Sequence, residues 1–255
     1  TAADAAANDY FGKSVAIDGD TVVVAAYGDD DASDCTDEWC NSGSAYVFRT
    51  TDGGATYGQV AKLTASDAAA GDFFGYSVAV AGDTVLVGAS KDDDGGDASG
   101  SVYIFRTSDG ATYVEVTKLT AADAASGDLF GFSVEIDGDT VVVGAQQAPN
   151  GGTGAAYIFR TGDGGATYAQ VAKLTAADAA ANDWFGCSVA IDGHTIVVGA
   201  YHDDDAGDSS GSAYLFSEAG FSEAGSEGLD AGSDSAQTLG SDAATRTGPL
   251  LALLV

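Results

Sequence analysis

The chain has no methionine, two prolines, three cysteines, two histidines and nine basic residues among 255. Each shortage argues against something. Nine bases against 39 acids leave a net charge of −30, so the Lys/Arg field needed for nucleic acid is missing. The same deficit argues against direct binding to an anionic membrane surface. Such a charge suits cation binding, a secreted protein, or a salty environment in which carboxylates keep the surface soluble. The two histidines are His194 and His202, and no nucleophile motif, phosphate loop or Cys/His cluster accompanies them. An enzyme is therefore not expected. A secreted hydrolase working through paired carboxylates stays as a remote alternative, since 39 acids offer pairs anywhere.

Three cysteines are too few for a disulfide scaffold. Cys35 and Cys40 share one loop, close enough in sequence to bridge, which fits an oxidising compartment; Cys187 follows a Phe-Gly and is expected to be buried. A chain without Met does not include its own start residue, so a processed product or a fragment is expected. No signal peptide or complete membrane span is present. The apolar hexamer Leu250-Leu251-Ala252-Leu253-Leu254-Val255 is too short to span a bilayer. It reads either as the start of a truncated anchor or as a sticky end.

Glycine, by contrast, is abundant at 36 residues, and it marks a repeat. Phe74-Gly75 opens a stretch that closes at Gly88-Ala89, and matching stretches run from Phe11 to Ala26, Phe130 to Ala145 and Phe185 to Ala200. The internal length is constant, while the loop after the closing Ala varies. A fixed period of this kind dictates every later assignment.

Each unit reads as four strands. In the first copy they are Ser14-Val15-Ala16-Ile17, then Thr21 to Ala26, then Ser44 to Arg49, then Gln59 to Leu63. Asp18-Gly19 joins the first two, a strong hairpin signal, and Thr21-Val22-Val23-Val24 is β-branched as expected between layers. Thr64 with Asp67 resembles a capping box and predicts one helical turn in the connector. Thr1 with Asp4 repeats that pattern, so the chain is expected to begin just after a missing fourth strand. Four short strands per repeat without long helices predict an all-β fold, a β-propeller of four-stranded antiparallel blades. The blades span about 11–63, 74–119, 130–174 and 185–216, the last incomplete. They make either an open arc from a larger propeller, completed by blades of a longer chain, or a small ring with an exposed edge. Residues 217–255 are Gly/Ser/Ala/acid-rich and are expected to be disordered.

The Phe-Gly openings at Phe11-Gly12, Phe74-Gly75, Phe130-Gly131 and Phe185-Gly186, with Gly88-Ala89, Gly144-Ala145 and Gly199-Ala200 closing, resemble the FG-GAP repeat of integrin α-subunit propellers. Ala25-Ala26 departs from Gly-Ala, and Tyr27, Ser90, Gln146 and Tyr201 stand where the family name has Pro. The resemblance implies an extracellular or cell-surface binding and adhesion module with a protein or glycan ligand. Many members carry a calcium loop between the first two strands. Here that place holds only Asp18-Gly19-Asp20, Gly82-Asp83, Asp137-Gly138-Asp139 and Asp192-Gly193-His194. A two-residue hairpin cannot wrap the six to eight oxygens calcium takes, so that site is not carried over.

In an up-and-down meander the strand 2–3 loops and the blade connectors share one end. That parity gathers Asp29-Asp30-Asp31, Asp92-Asp93-Asp94 and Asp203-Asp204-Asp205 with the connector acids Asp9, Asp72, Asp128 and Asp183. Two readings stand. The triplets, helped by Asp97 and Asp208, bind calcium (Ca2+) through carboxylate and carbonyl oxygens, or they are solvated loops that keep sheet edges from pairing. Three consecutive acids cannot all point inward. Arg49, Arg106, Arg160, Lys62, Lys118 and Lys173 recur periodically and are expected to pair with acids. The aromatic pairs such as Tyr46/Phe48 are expected to pack between blades. Trp39, between Cys35 and Cys40, is either a plug or a ligand-binding anchor. A purely structural spacer or surface-coat protein is the main alternative to a binding module.

Overall fold

The computed structural model describes residues 1–30, 40–146, 152–217 and 237–238. It is all-β, with four antiparallel four-stranded sheets, and among the described residues no helix is long and apolar enough to cross a membrane. The first sheet is β1 (Val15–Asp18), β2 (Thr21–Ala26), β3 (Ser44–Arg49) and β4 (Gly58–Leu63), in that spatial order. The second is β5 (Phe74–Ala81), β6 (Thr84–Ala89), β7 (Ser101–Thr107) and β8 (Tyr113–Leu119), and the third β9 (Phe130–Asp137), β10 (Thr140–Ala145), β11 (Ala155–Arg160) and β12 (Ala169–Leu174). The fourth has β13 (Ser188–Asp192), β14 (Thr195–Ala200), β15 (Ser212–Ser217) and β16 (Gln237–Thr238). The first strands β1, β5, β9 and β13 pack side by side in chain order, so the sheets fan out as blades.

The sequence reading left the last blade without an outer strand. Two residues of the acidic tail supply one, with Tyr214 paired to Thr238 and Leu215 to Gln237. The remaining residues of 218–255 lie outside the described residues.

Asp18 pairs with Thr21, so the hairpin loop is Gly19-Asp20 and not Asp18-Gly19. Gly19, Gly82, Gly138 and Gly193 take φ near +55°, with the following residue outside that region. Glycine at the first central position is the type II′ arrangement, which matches strand twist as well as Asn-Gly does. The predicted capping boxes also fail. Ser66 and Asp67 form a turn instead of a helix, because the Asp67 carboxylate is drawn away to Tyr103 and Lys118.

The Phe-Gly and Gly-Ala pairs are explained by packing between blades. Phe74, Phe130 and Phe185 are wholly buried, each edge-on to the Tyr and Phe of its own third strand and packed against the preceding blade. A parallel bridge ties each to the blade before it: Gly43 to Phe74, Gly100 to Phe130, Gly154 to Phe185. After the Phe the ladder bulges, and Gly131 there has φ +85° with a notional Cβ 2.5 Å from the Ser101 carbonyl. Only glycine fits such an approach. Blade-to-blade burial extends along the first strands. Val78 and Val80 are 6% and 8% exposed against the first blade, whereas their counterparts Val15 and Ile17, against which no described blade packs, are 65% and 67% exposed.

Candidate functional site: repeated Tyr–Asp–Lys nodes

The parity argument places the strand 2–3 loops beside the connectors, and the structure joins them at a buried tyrosine. Tyr46, Tyr103, Tyr157 and Tyr214 sit on the third strands, and their hydroxyls all reach this end of the blades. In the second repeat the Tyr103 hydroxyl lies 2.7 Å from both Asp67 of the connector and Asp92 of the loop. Lys118, paired directly across from Tyr103 on β8, completes the node. Its ammonium lies 2.8 Å from Asp67, 2.9 Å from Asp92 and 2.5 Å from Asp94, and 5.0 Å from the Tyr103 ring centroid.

Among the described residues, Asp67, Asp92 and Asp94 are the acids whose oxygens converge closely enough to hold a metal. Lys118 already fills their centre, so an ion would have to displace the ammonium. Burial opposes the charge on Lys118, but the three carboxylates hold its pKa above the ordinary lysine value. Burial likewise raises Asp67, yet the Lys118 ammonium and the Tyr103 hydroxyl win and leave it below the usual carboxylate value. Burial, then Asp67 and Asp92, push Tyr103 far above the usual phenol.

The other repeats vary this node by charge. In the first, Tyr46 donates to Asp29 at 2.6 Å and Lys62 lies 2.7 Å from Asp4 and 3.1 Å from Asp29. In the third, whose loop begins Gln146-Gln147 and carries no acid, Tyr157 and Lys173 share Asp123 at 3.0 and 2.6 Å. Burial first, tempered by Lys173, pushes Tyr157 to about 12. In the fourth, Tyr214 reaches Asp178 at 2.8 Å and Asp203 at 2.7 Å, with Thr238 opposite where the others have Lys. The periodic lysines are thus structural counterions, as expected.

The triplets divide their labour. The first acids, Asp29, Asp92 and Asp203, are buried onto tyrosine. The second turn back on the loop: Asp30 accepts the Asn41 amide at 2.6 Å, Asp93 that of Ala98 at 2.7 Å, and Asp204 that of Ser209 at 2.6 Å. The third, Asp94 and Asp205, stay exposed. Asp30, Asp93 and Asp204 therefore staple their loops through one carboxylate oxygen each. Asp97 and Asp208 are exposed; the Asp97 carbonyl, not its carboxylate, takes the Gly127 amide. The connector acids Asp9, Asp72, Asp128 and Asp183 are buried, each accepting the amide three residues earlier. Burial, with Asp92 and Asp93 nearby, pushes Asp72 up to about 6. Asp31, Trp39 and Cys35 lie outside the described residues. Cys40 is disulfide-bonded and Cys187 is free. Cys187 is half-buried, because it occupies the bulge after Phe-Gly, where Lys13, Tyr76 and Phe132 stand in the other repeats.

One feature of this end escaped the sequence reading. The residue before each Phe-Gly takes a left-handed backbone: Tyr10, Phe73, Leu129 and Trp184 have φ of 54°, 58°, 54° and 59°. Bulky side chains rarely adopt that region, and strained positions of this kind cluster at functional sites. Three of them, Tyr10, Phe73 and Trp184, aim aromatic rings at the rings that follow the second strands. Tyr10 stacks on Tyr27 at 5.0 Å, Tyr27 meets Phe73 and Tyr76, Tyr76 meets Phe132, and Trp184 lies against Tyr201 and His202. Tyr10 and Tyr201 remain 50% and 51% exposed. A large aromatic before Phe-Gly in three of the four repeats, with Leu129 in the other, was the available signal. A pocket beside the first node, lined by Asp4, Asp9, Asp29, Asp30 and Lys62, measures about 260 Å³, below the usual range for small-molecule sites.

Four blades built on interlocked Phe-Gly and Gly-Ala pairs define a propeller-type repeat protein. The FG-GAP repeat profile matches residues 1–48, 57–105, 113–159 and 168–216, and the chain belongs to the FG-GAP repeat family. No curated protein matches the sequence. Among solved structures it is similar to the crystal structure of Saccharomyces cerevisiae Sqt1, at 9% identity and a TM-score of 0.46. That match covers 83% of this chain and 45% of the other, so the chain spans less than half the length of the structure it matches.

Proposed function

We propose that this protein is an extracellular or cell-surface binding module of adhesion type, taking a protein or glycan ligand on the end that carries the variable loops. The observation that carries this reading is the set of exposed aromatics at that end, Tyr10 and Tyr201 foremost, Tyr10 held in a left-handed backbone, on the same end as the loop acids. Aromatic faces beside hydrogen-bonding carboxylates suit both sugar rings and protein hot spots. The disulfide at Cys40 and the charge of −30 support an oxidising, extracellular setting. The shallow pocket and the structural use of the buried acids support a non-enzymatic role.

A second reading, a spacer without a specific ligand, is favoured by one observation. The acids at the first three nodes are consumed by Tyr and Lys, as a purely structural charge network requires. Glycan and protein arrays separate the two. The binding reading expects hits that vanish in Tyr10→Ser/Tyr201→Ser while the fold persists; equal and null signals from both proteins would favour the spacer.

A further inference from the structure

Every contact between blades uses the same positions, and the first and fourth blades each carry one half of that contact without a described partner. On the entering side, Phe74, Phe130 and Phe185 stand edge-on to their own third strand and are wholly buried against the preceding blade. Phe11 has the same edge-on setting, 5.6 Å from Tyr46 and 6.1 Å from Phe48, yet it is only half-buried. A Cβ on Gly75, Gly131 or Gly186 would collide with a carbonyl of the preceding blade, whereas one on Gly12 meets nothing within 4 Å.

The fourth blade shows the converse on its receiving side. Val142, Ala156 and Ile158 of the third blade are wholly covered by the fourth. Their counterparts Val197, Ala213 and Leu215 are only partly buried. A Cβ on Gly88 or Gly144 would run into the carbonyl of Gly131 or Gly186 in the following blade. Gly199 holds the same place in β14, and no described atom comes nearer than 3.6 Å to its notional Cβ. Glycine inside a strand weakens it and marks a place where another backbone comes close. Among the described residues none does so at Gly199.

We propose that this face of the fourth blade receives the Phe11 edge of a second copy of the chain. The contact is continuous with the three interfaces already formed, because Phe11, Val15 and Ile17 occupy the positions of Phe185, Val189 and Ile191. Within one chain the two faces do not meet, since Val15 and Ile17 stay 65% and 67% exposed. The association joins unlike patches and is therefore heterologous. A net charge of −30 on each copy opposes their approach, so the contact tightens as salt screens that repulsion. It stands independently of the ligand proposed above.

Sedimentation velocity of the intact chain, from micromolar to sub-millimolar concentration in about 0.15 M and 0.5 M salt, tests the assignment. The expected result is mass that rises with concentration, more steeply at the higher salt. Val15→Lys/Ile17→Lys and Gly199→Val are each expected to weaken association about tenfold or more, as loss of a central apolar contact does. The lysines reduce the net negative charge, so their effect cannot come from added repulsion. Val15 and Ile17 are exposed and the fold is expected to tolerate their replacement; Leu215→Lys replaces Gly199→Val if circular dichroism shows that variant unfolded. A heterologous contact makes one further demand. The two variants, mixed, are expected to form a dimer and nothing larger, because one keeps the Phe11 edge and the other the fourth-blade face. Monomers throughout in the unaltered chain would mean that the face is filled from within the chain and would overturn the proposal. Association untouched by either variant, or a mixture that stays monomeric, would overturn it too.

Discussion

Replacing Lys118 by Met removes the ammonium and keeps the stem that lies over Tyr103. Lys118 is 17% exposed and its partner Asp92 5%, whereas Asp67 and Asp94 are 46% and 59% exposed. Breaking a fully buried pair by deleting one member costs about 3–5 kcal/mol. Only one of the three contacts here is buried, so the expected loss is about 2–4 kcal/mol. Lys173→Met is the matched control. Its ion pair with Asp123 joins groups 37% and 52% exposed, so the expected loss is about 0.5–1 kcal/mol. The cation–π contacts, at 5.0 and 5.2 Å, are nearly equal and cancel in the comparison. The remaining difference of about 2 kcal/mol corresponds to roughly 4–8 °C in melting temperature for a chain of this size. Thermal unfolding at pH 7 followed by circular dichroism reads it. Repeating the scan in about 0.5 M salt should shrink the Lys173→Met effect and leave most of that of Lys118→Met, because buried charges are screened less. Equal losses from the two variants would refute the claim that the second node is a buried charge network.

Two further outcomes follow from the geometry. Gly131→Ala puts a methyl group 2.5 Å from a carbonyl at φ +85° and is expected to cost about 2–4 kcal/mol, while Gly138→Ala, at φ +55° with open space around it, costs about 1 kcal/mol; denaturant unfolding that ranks them equally would contradict the blade-approach argument. Stability also depends on acidity in two windows. Asp72 titrates near 6 in the fold, against 3.8 unfolded, so its contribution is present below about 4 and lost as pH rises through 6. Asp52 and Asp109, held at about 2 by the Thr and amide donors of the strand 3–4 turns, contribute above about 4 and lose that contribution as pH falls toward 2. A melting temperature that peaks near pH 4–5, with the upper slope flattened in Asp72→Asn, is the expected profile.

Constant spacing from Phe to Ala made the blades legible, because a register that never changes advertises strands in contact. The end on which the acids gather followed from counting turns. Partners of individual acids were not legible. Asp92, Asp93 and Asp94 are identical in sequence, and only the twist of the loop decides that the first turns to tyrosine and Lys118, the second to an amide and the third to the exposed side of Lys118. The Asp18-Gly19 signal misled by one residue because Gly in either central position satisfies some hairpin turn. The strand at Gln237 was invisible because its two residues carry too short a pattern to show alternation.

The seating of each Phe in the blade before it means that the sequence repeat and the physical module are out of phase. A cut at Phe74 would separate a side chain from half of its socket, which Val23, Ala25, Ala45 and Val47 of the first blade supply. The array is consequently directional, like a row of hooks and eyes. The first described blade presents the apolar strand of Val15 and Ile17 and the last the half-covered Val197 and Leu215, so the two outer faces of the described blades are unlike.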